Sequence, residues 1–218
     1  MSATPSPNDE QNVSLARPGA GLPTVESWIF RHLGMPLISA LMCRETALAK
    51  FDREGRRALE LARNVPPSRL SEPVLIDRIS GIEDSSRHWS IAMTLQHLII
   101  VGKGIRLTVK ALNLGKVPDR EVRIEDVKPD PVTGPEILEA FASWLDSYPK
   151  GLLELPWPDS PKLAHPWFGP MSADRWFKLN AIHNGIHRKQ IEAIIAGLPP
   201  SNEPICGGSG NGIACASL

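Results

Sequence analysis

The chain is short of cysteine, of charge imbalance and of long apolar runs, and each shortage excludes something. Three cysteines, Cys43, Cys206 and Cys215, occur in 218 residues. They form no Cys-x-x-Cys pair, and an odd number makes a poor disulfide framework, which fits a reducing compartment. Lys and Arg total 24, as do Asp and Glu, so the formal net charge is zero. Such a balance carries no nucleic-acid footprint and no general attraction to anionic membranes. No apolar run approaches the roughly 20 residues of a membrane span. The stretch Leu98 to Val101 is bounded by His97 on one side and by Gly102 and Lys103 on the other. The first residues, MSATPSPNDEQN, are polar and acidic and lack the charged-then-apolar order of a signal peptide, which predicts a cytoplasmic protein. His-Glu-x-x-His and Glu-x-x-His are missing too, which disfavours a zincin or a di-iron bundle.

What remains is ordinary for a globular protein, with 42% apolar and 22% charged residues and a length suited to one domain. Residues 1–22 are rich in Ser, Pro, Asn and Gly and read as a disordered N-terminal tail. Residues 198–218 begin with prolines, turn Gly- and Ser-rich, and read as a flexible C-terminal tail. The body, 23–197, has no internal repeat.

Four segments of that body carry helical periodicity. The first spans about Thr24 to Arg63, with a break expected at Pro36 and an apolar stripe of Leu37, Leu41, Leu48 and Phe51. The second spans about Trp89 to Leu114; Trp89, Met93, His97, Ile100 and Gly104 trace one face, and Asn113 with Gly115 supplies a stop. The third spans about Gly134 to Tyr148, with Pro135 in its first turn and Ile137, Leu138, Phe141 and Trp144 or Leu145 inward. The fourth runs from Ser172, a good N-cap, to Ala196, and Gly197, Pro199 and Pro200 end it. The connections 64–88 and 150–171 are proline-rich, and only Val122 to Val127 hints at a strand. Four helices with long loops predict an all-α bundle.

The fourth helix contains His183-Asn184-Gly185-Ile186-His187. A spacing of four places both imidazoles on one face, one turn apart, where they can fill two coordination positions of one ion. Both lie on the apolar stripe of Trp176, Leu179 and Ile194, and His97 lies on the stripe between Met93 and Ile100. Buried imidazoles need hydrogen bonds or a metal. Three inward histidines from two helices therefore read either as a divalent metal site or as core residues bonded to their neighbours.

Trp89-Ser90-Ile91 with Leu95-Gln96-His97-Leu98 resembles the first signature block of the DinB/YfiT-like family. The run from His165-Pro166-Trp167-Phe168-Gly169-Pro170-Met171-Ser172 to Trp176, then His183, His187 and Gln190-Ile191, is similar to its closing helix. The resemblance covers about 24–197. It implies a four-helix bundle of up-down-down-up topology, and Zn²⁺, Ni²⁺ or a similar ion on His97, His183 and His187. Three histidines leave a coordination position open, where a water or thiol loses its proton more readily. Proteins of the family include thiol S-transferases, a thiol-dependent isomerase and hydrolases. The implied activity is therefore metal-dependent activation of a low-molecular-weight thiol or water toward a small electrophile. The alternative is a non-catalytic bundle with a structural or vestigial site. Such bundles are often homodimers.

Gln190, close to one turn beyond His187, is either a residue that orients a ligand from outside or a polar residue at the bundle edge. Glu45 falls between Leu41 and Leu48 and is the one carboxylate that could enter the site, although a slightly rotated helix would put it at the solvent edge instead, as is commoner for Glu. His165 could line a pocket mouth, although a loop histidine is more often a surface or turn residue. His32 and His88 have no evident partner, and Cys206 and Cys215 read as free thiols. Trp167, Phe168 and Trp176 read as core.

Overall fold

The computed structural model describes residues 14–119, 121–131 and 134–200. Cys206, Cys215 and all but three residues of the C-terminal tail lie outside these, as do residues 1–13. Helix dominates, in line with the all-α expectation, but two small antiparallel sheets are present as well. Six α-helices are described: α1 (Thr24–Ile29), α2 (Met35–Leu41), α3 (Arg44–Arg63), α4 (Ile91–Asn113), α5 (Ile137–Ser147) and α6 (Ala173–Gly197). Strand β1 (Val74–Leu75) pairs with β2 (His88–Trp89), and β3 (Leu163–His165) pairs with β4 (Gly169–Met171). No described helix is long and apolar enough to cross a membrane.

Helix α6 packs against α3, α4 and α2, while α5 packs against α3 and α4. The position of α6 explains its pattern. Trp176, Phe177, Leu179, Asn180 and Ala181 are all buried, so the helix is covered on more than one side. Ser90 caps α4 by accepting from the Met93 amide at 3.1 Å. Ser172 caps α6 through the Arg175 amide. Both caps satisfy amides that a first helical turn otherwise leaves without partners.

The first predicted segment is irregular just before Pro36, as expected, and breaks a second time at Met42. A π-helical turn, Phe30–Gly34, joins α1 to α2, and Pro36 sits in the first turn of α2. The backbone stays helical from Phe30 through Gly34 and Met35, and the wider π-turn lies just where Pro36 withholds an N–H from the preceding turn and crowds its carbonyls. The chain leaves the helix at Met42, whose backbone is extended, and α3 restarts after Cys43, whose sulfur accepts from the Thr46 amide. The break divides the expected stripe. Phe51 is buried, whereas Leu37 and Leu41 are exposed. The strand hint at Val122 to Val127 is also replaced, since Glu125–Val127 forms a short 3₁₀ turn. The observed strands lie in the proline-rich connections instead.

Residues 14–22, assigned to the tail from composition, are docked. The Gly19 and Gly21 amides donate to the Glu83 carboxylate at 3.3 and 2.9 Å, and the Ala16 amide donates to Asp84.

The helices approach closely at small residues. A Cβ added at Gly102 of α4 would lie 2.6 Å from Cζ2 of the buried Trp144 indole on α5. Overpacking typically costs about 1–3 kcal/mol, against a helix-propensity gain of about 1 kcal/mol. Gly102→Ala is therefore expected to lower stability by about 1 kcal/mol, read as a fall in Tm of about 2–4 °C.

Candidate metal centre

Helix α4 brings His97 and helix α6 brings His183 and His187 to one point. One ring nitrogen from each can be chosen so that all three lie within 4.8 Å of one another. The ring centroids of His97 and His183 are 5.1 Å apart, those of His97 and His187 4.7 Å, and those of His183 and His187 4.4 Å.

Two of the three tautomers are fixed from outside. His97 Nδ1–H donates to the Val127 carbonyl at 2.7 Å, which leaves Nε2 as the lone-pair nitrogen. His187 Nδ1–H donates to Gln190 Oε1 at 2.6 Å. The Gln190 amide cannot turn around without losing a bond, because its Nε2 donates to the Ser86 carbonyl at 2.7 Å. His187 therefore also turns Nε2 inward. This anchoring of a ring by its far nitrogen is how histidine ligands are usually oriented. His183 is held differently. Its Nε2 lies 3.2 Å from His97 Nε2, and its Nδ1 is buried without a partner among the described residues.

Burial is the main reason that all three rings stay neutral. It lowers His97 well below the ordinary imidazole value, with the charges of His187 and Lys128 adding to the effect. It lowers His183 likewise, helped by His187, His97 and His165. Burial takes His187 down to about 4, although the bond to Gln190 opposes it. Neutral imidazole is the form that ligates metal.

Trp89, from β2, closes one side of the triad. Its ring stacks on His187 at 6.2 Å and 10°, and lies 5.0 Å from the His97 ring. The Lys128 ammonium sits 5.4 Å from the Trp89 ring and pairs with the buried Glu83 at 2.9 Å. Lys128 also donates to the Ser85 and Ser86 hydroxyls. One buried network thus ties the carbonyls that hold His97 and Gln190 to the docked N-terminal segment. Burial pushes the Glu83 carboxyl up, but Lys128 and the Gly21 and Gly19 amides together hold it below its ordinary 4.5.

A carboxyl depressed by folding contributes stability that is full above its ordinary value and is lost as pH falls through the depressed one. Urea denaturation at stepped pH is expected to show wild type losing stability below about pH 4.5. Glu83→Gln is expected to be weaker by about 1–3 kcal/mol at pH 7, with a flatter acid limb.

The triad borders a cavity of about 610 Å³, whose lining includes Phe30, Ile82, Val101, Ile105 and Phe168. That size suits a small organic molecule. Of the other sequence candidates, Gln190 joins the site as a ring anchor. His165, Trp167, Phe168 and Trp176 all border the cavity, and Trp176 is core as well. Glu45 does not reach the site. It is exposed in the first turn of α3, because the helix starts only at Arg44 and turns that position to solvent. His32 and His88 are exposed, as is Cys43. Sequence reasoning did not find Glu83, Lys128 and the Ser86 and Val127 carbonyls. They sit in irregular segments where no periodicity marks an inward residue.

No protein-family model matches the chain, and no curated protein or solved structure does so.

Proposed function

We propose that this protein binds one divalent metal ion, Zn²⁺ or Ni²⁺, on His97, His183 and His187, and is a cytoplasmic metal-dependent enzyme of small-molecule thiol-transfer or hydrolytic type. The DinB/YfiT-like resemblance supports this, with α3, α4, α5 and α6 as an up-down-down-up bundle. The observation that carries the reading is the pair of outward hydrogen bonds, His97 to Val127 and His187 to Gln190, which present two lone pairs to one point beside His183. The donor set fits. Two nitrogens on a tetrahedral Zn²⁺ at about 2.0–2.1 Å stand about 3.3 Å apart. The Nε2 atoms of His97 and His183 stand 3.2 Å apart.

When bound, the ion supplies Lewis acidity and eases deprotonation of a thiol or water. The chain's own residues do the rest. Val127 and Gln190 hold the imidazoles in the ligating tautomer, Trp89 shields them from water, and the apolar cavity walls hold the body of a small electrophile. A second reading uses the same 3.2 Å contact. In it, His183 donates to His97, no metal is held, and the bundle is non-catalytic.

Elemental analysis of the purified protein and a thiol-consumption assay with a haloaromatic electrophile test these readings together. About one metal ion per chain and chelator-sensitive turnover are expected on the three-ligand, open-position chemistry. Protein that takes up no metal overturns the first reading. Metal uptake without chelator-sensitive turnover across several thiols leaves a structural ion.

A further inference from the structure

His165 is not one of the ligands, yet it is held as deliberately as they are. It ends β3, opposite Gly169 of β4, at the mouth of a tight hairpin. The Trp167 amide inside that hairpin donates to His165 Nδ1 at 3.1 Å. A nitrogen that accepts an N–H carries no proton of its own, so the neutral ring bears its proton on Nε2. Aromatic rings pack around the imidazole. Phe168 stacks on it at 4.5 Å and 17°, Trp176 lies at 5.2 Å and Trp167 at 5.7 Å. Burial holds the ring neutral, with a value near 3.

The Nε2–H has no acceptor among the described residues, and the side chain borders the same cavity as the histidine triad. His165 is only half-buried and its Nε2–H keeps access to water. A ligand that displaces that water without offering an acceptor leaves the donor unpaired, which is costly, whereas one that supplies an acceptor does not incur that cost. The nearby walls are flat and aromatic. Of the cations on the cavity lining, Lys128 is engaged by Glu83 and Arg123 faces Glu125 at 4.0 Å, so each already has a carboxylate partner. We propose that His165 is the specificity-determining donor of this cavity, and that its ligand is a flat, largely apolar molecule whose neutral carbonyl oxygen accepts from His165 Nε2–H. The inference rests on the cavity being the substrate site of the proposed enzyme, and it names the substrate class.

The test uses an isosteric pair, 2-acetylnaphthalene and 2-isopropenylnaphthalene, which differ by C=O against C=CH₂. Each is titrated against the full chain by tryptophan fluorescence, with EDTA and with Zn²⁺. Wild type is expected to bind the ketone about tenfold more tightly than the hydrocarbon, the size of effect that arises when the hydrocarbon displaces water from the donor and leaves it without an acceptor. His165→Phe keeps an aromatic stack and is expected to lose that preference while its hydrocarbon Kd stays the same. His165→Gln, which restores an N–H near Nε2, is expected to regain part of it. In wild type, the His165 Nε2–H proton resonance is expected to move downfield with the ketone only, a readout independent of how any variant folds. Equal affinities in wild type, no binding of either probe, a preference retained by His165→Phe, or an unmoved Nε2–H resonance would overturn the proposal. The probes are scored with EDTA present, so a failure of metal uptake leaves this result standing and a failure here leaves metal uptake standing.

Discussion

Zn²⁺ added to the chelator-stripped protein at about a thousand times its Kd is expected to raise Tm by roughly 8–16 °C, and His183→Ala is expected to abolish the rise. The magnitude follows from linkage. A ligand that binds only the folded state at that excess adds about 4 kcal/mol, and each kcal/mol moves Tm by about 2–4 °C in a domain of this length. His183 is the informative ligand because it is the least anchored. Its Nδ1 is buried without a partner, whereas His97 and His187 are each held from outside. Removing it takes away one ligand and one unpaired buried nitrogen, so the stripped variant is expected to melt within a few degrees of the stripped wild type. Differential scanning calorimetry with and without Zn²⁺ checks both halves. A rise that persists in His183→Ala would mean that the ion binds elsewhere.

Trp89→Ala is expected to destabilise the protein by about 3–5 kcal/mol, the range for deleting a buried aromatic side chain. That is a large part of the 5–15 kcal/mol typical of a folded domain, so Tm should fall by about 6–20 °C. Trp89 is 4% exposed, packs on two rings of the triad and lies beneath Lys128. Its loss is therefore also expected to loosen His97 and His187 and to weaken metal uptake. Trp89→Phe keeps a ring at the site and should recover most of both. Urea denaturation combined with metal titration separates the two effects. A Trp89→Ala variant of wild-type affinity would show that Val127 and Gln190 suffice to hold the rings.

The sequence by itself determined the helices whose periodicity is long and whose ends are chemically marked. Ser90, Ser172 and Gly115 stand at helix boundaries, and α4 and α6 end within about two residues of where their patterns stop. Helical spacing also put His183 and His187 on one face. That follows from local geometry, since 3.6 residues per turn fixes neighbours four apart wherever the helix goes.

Tertiary structure alone decided the rest. Whether His97 meets the other two depends on how α4 lies against α6, which is a packing result. Val127, which holds His97, and Ser86, which holds Gln190, offer backbone carbonyls, and every residue type has one, so no side-chain pattern could mark them. Leu41 faces solvent, and Glu45 takes the solvent edge rather than the site, because the register of a helical stripe carries across a break only if the axis continues. The extended backbone at Met42 ends that axis, and what lies inward on one side of it need not lie inward on the other.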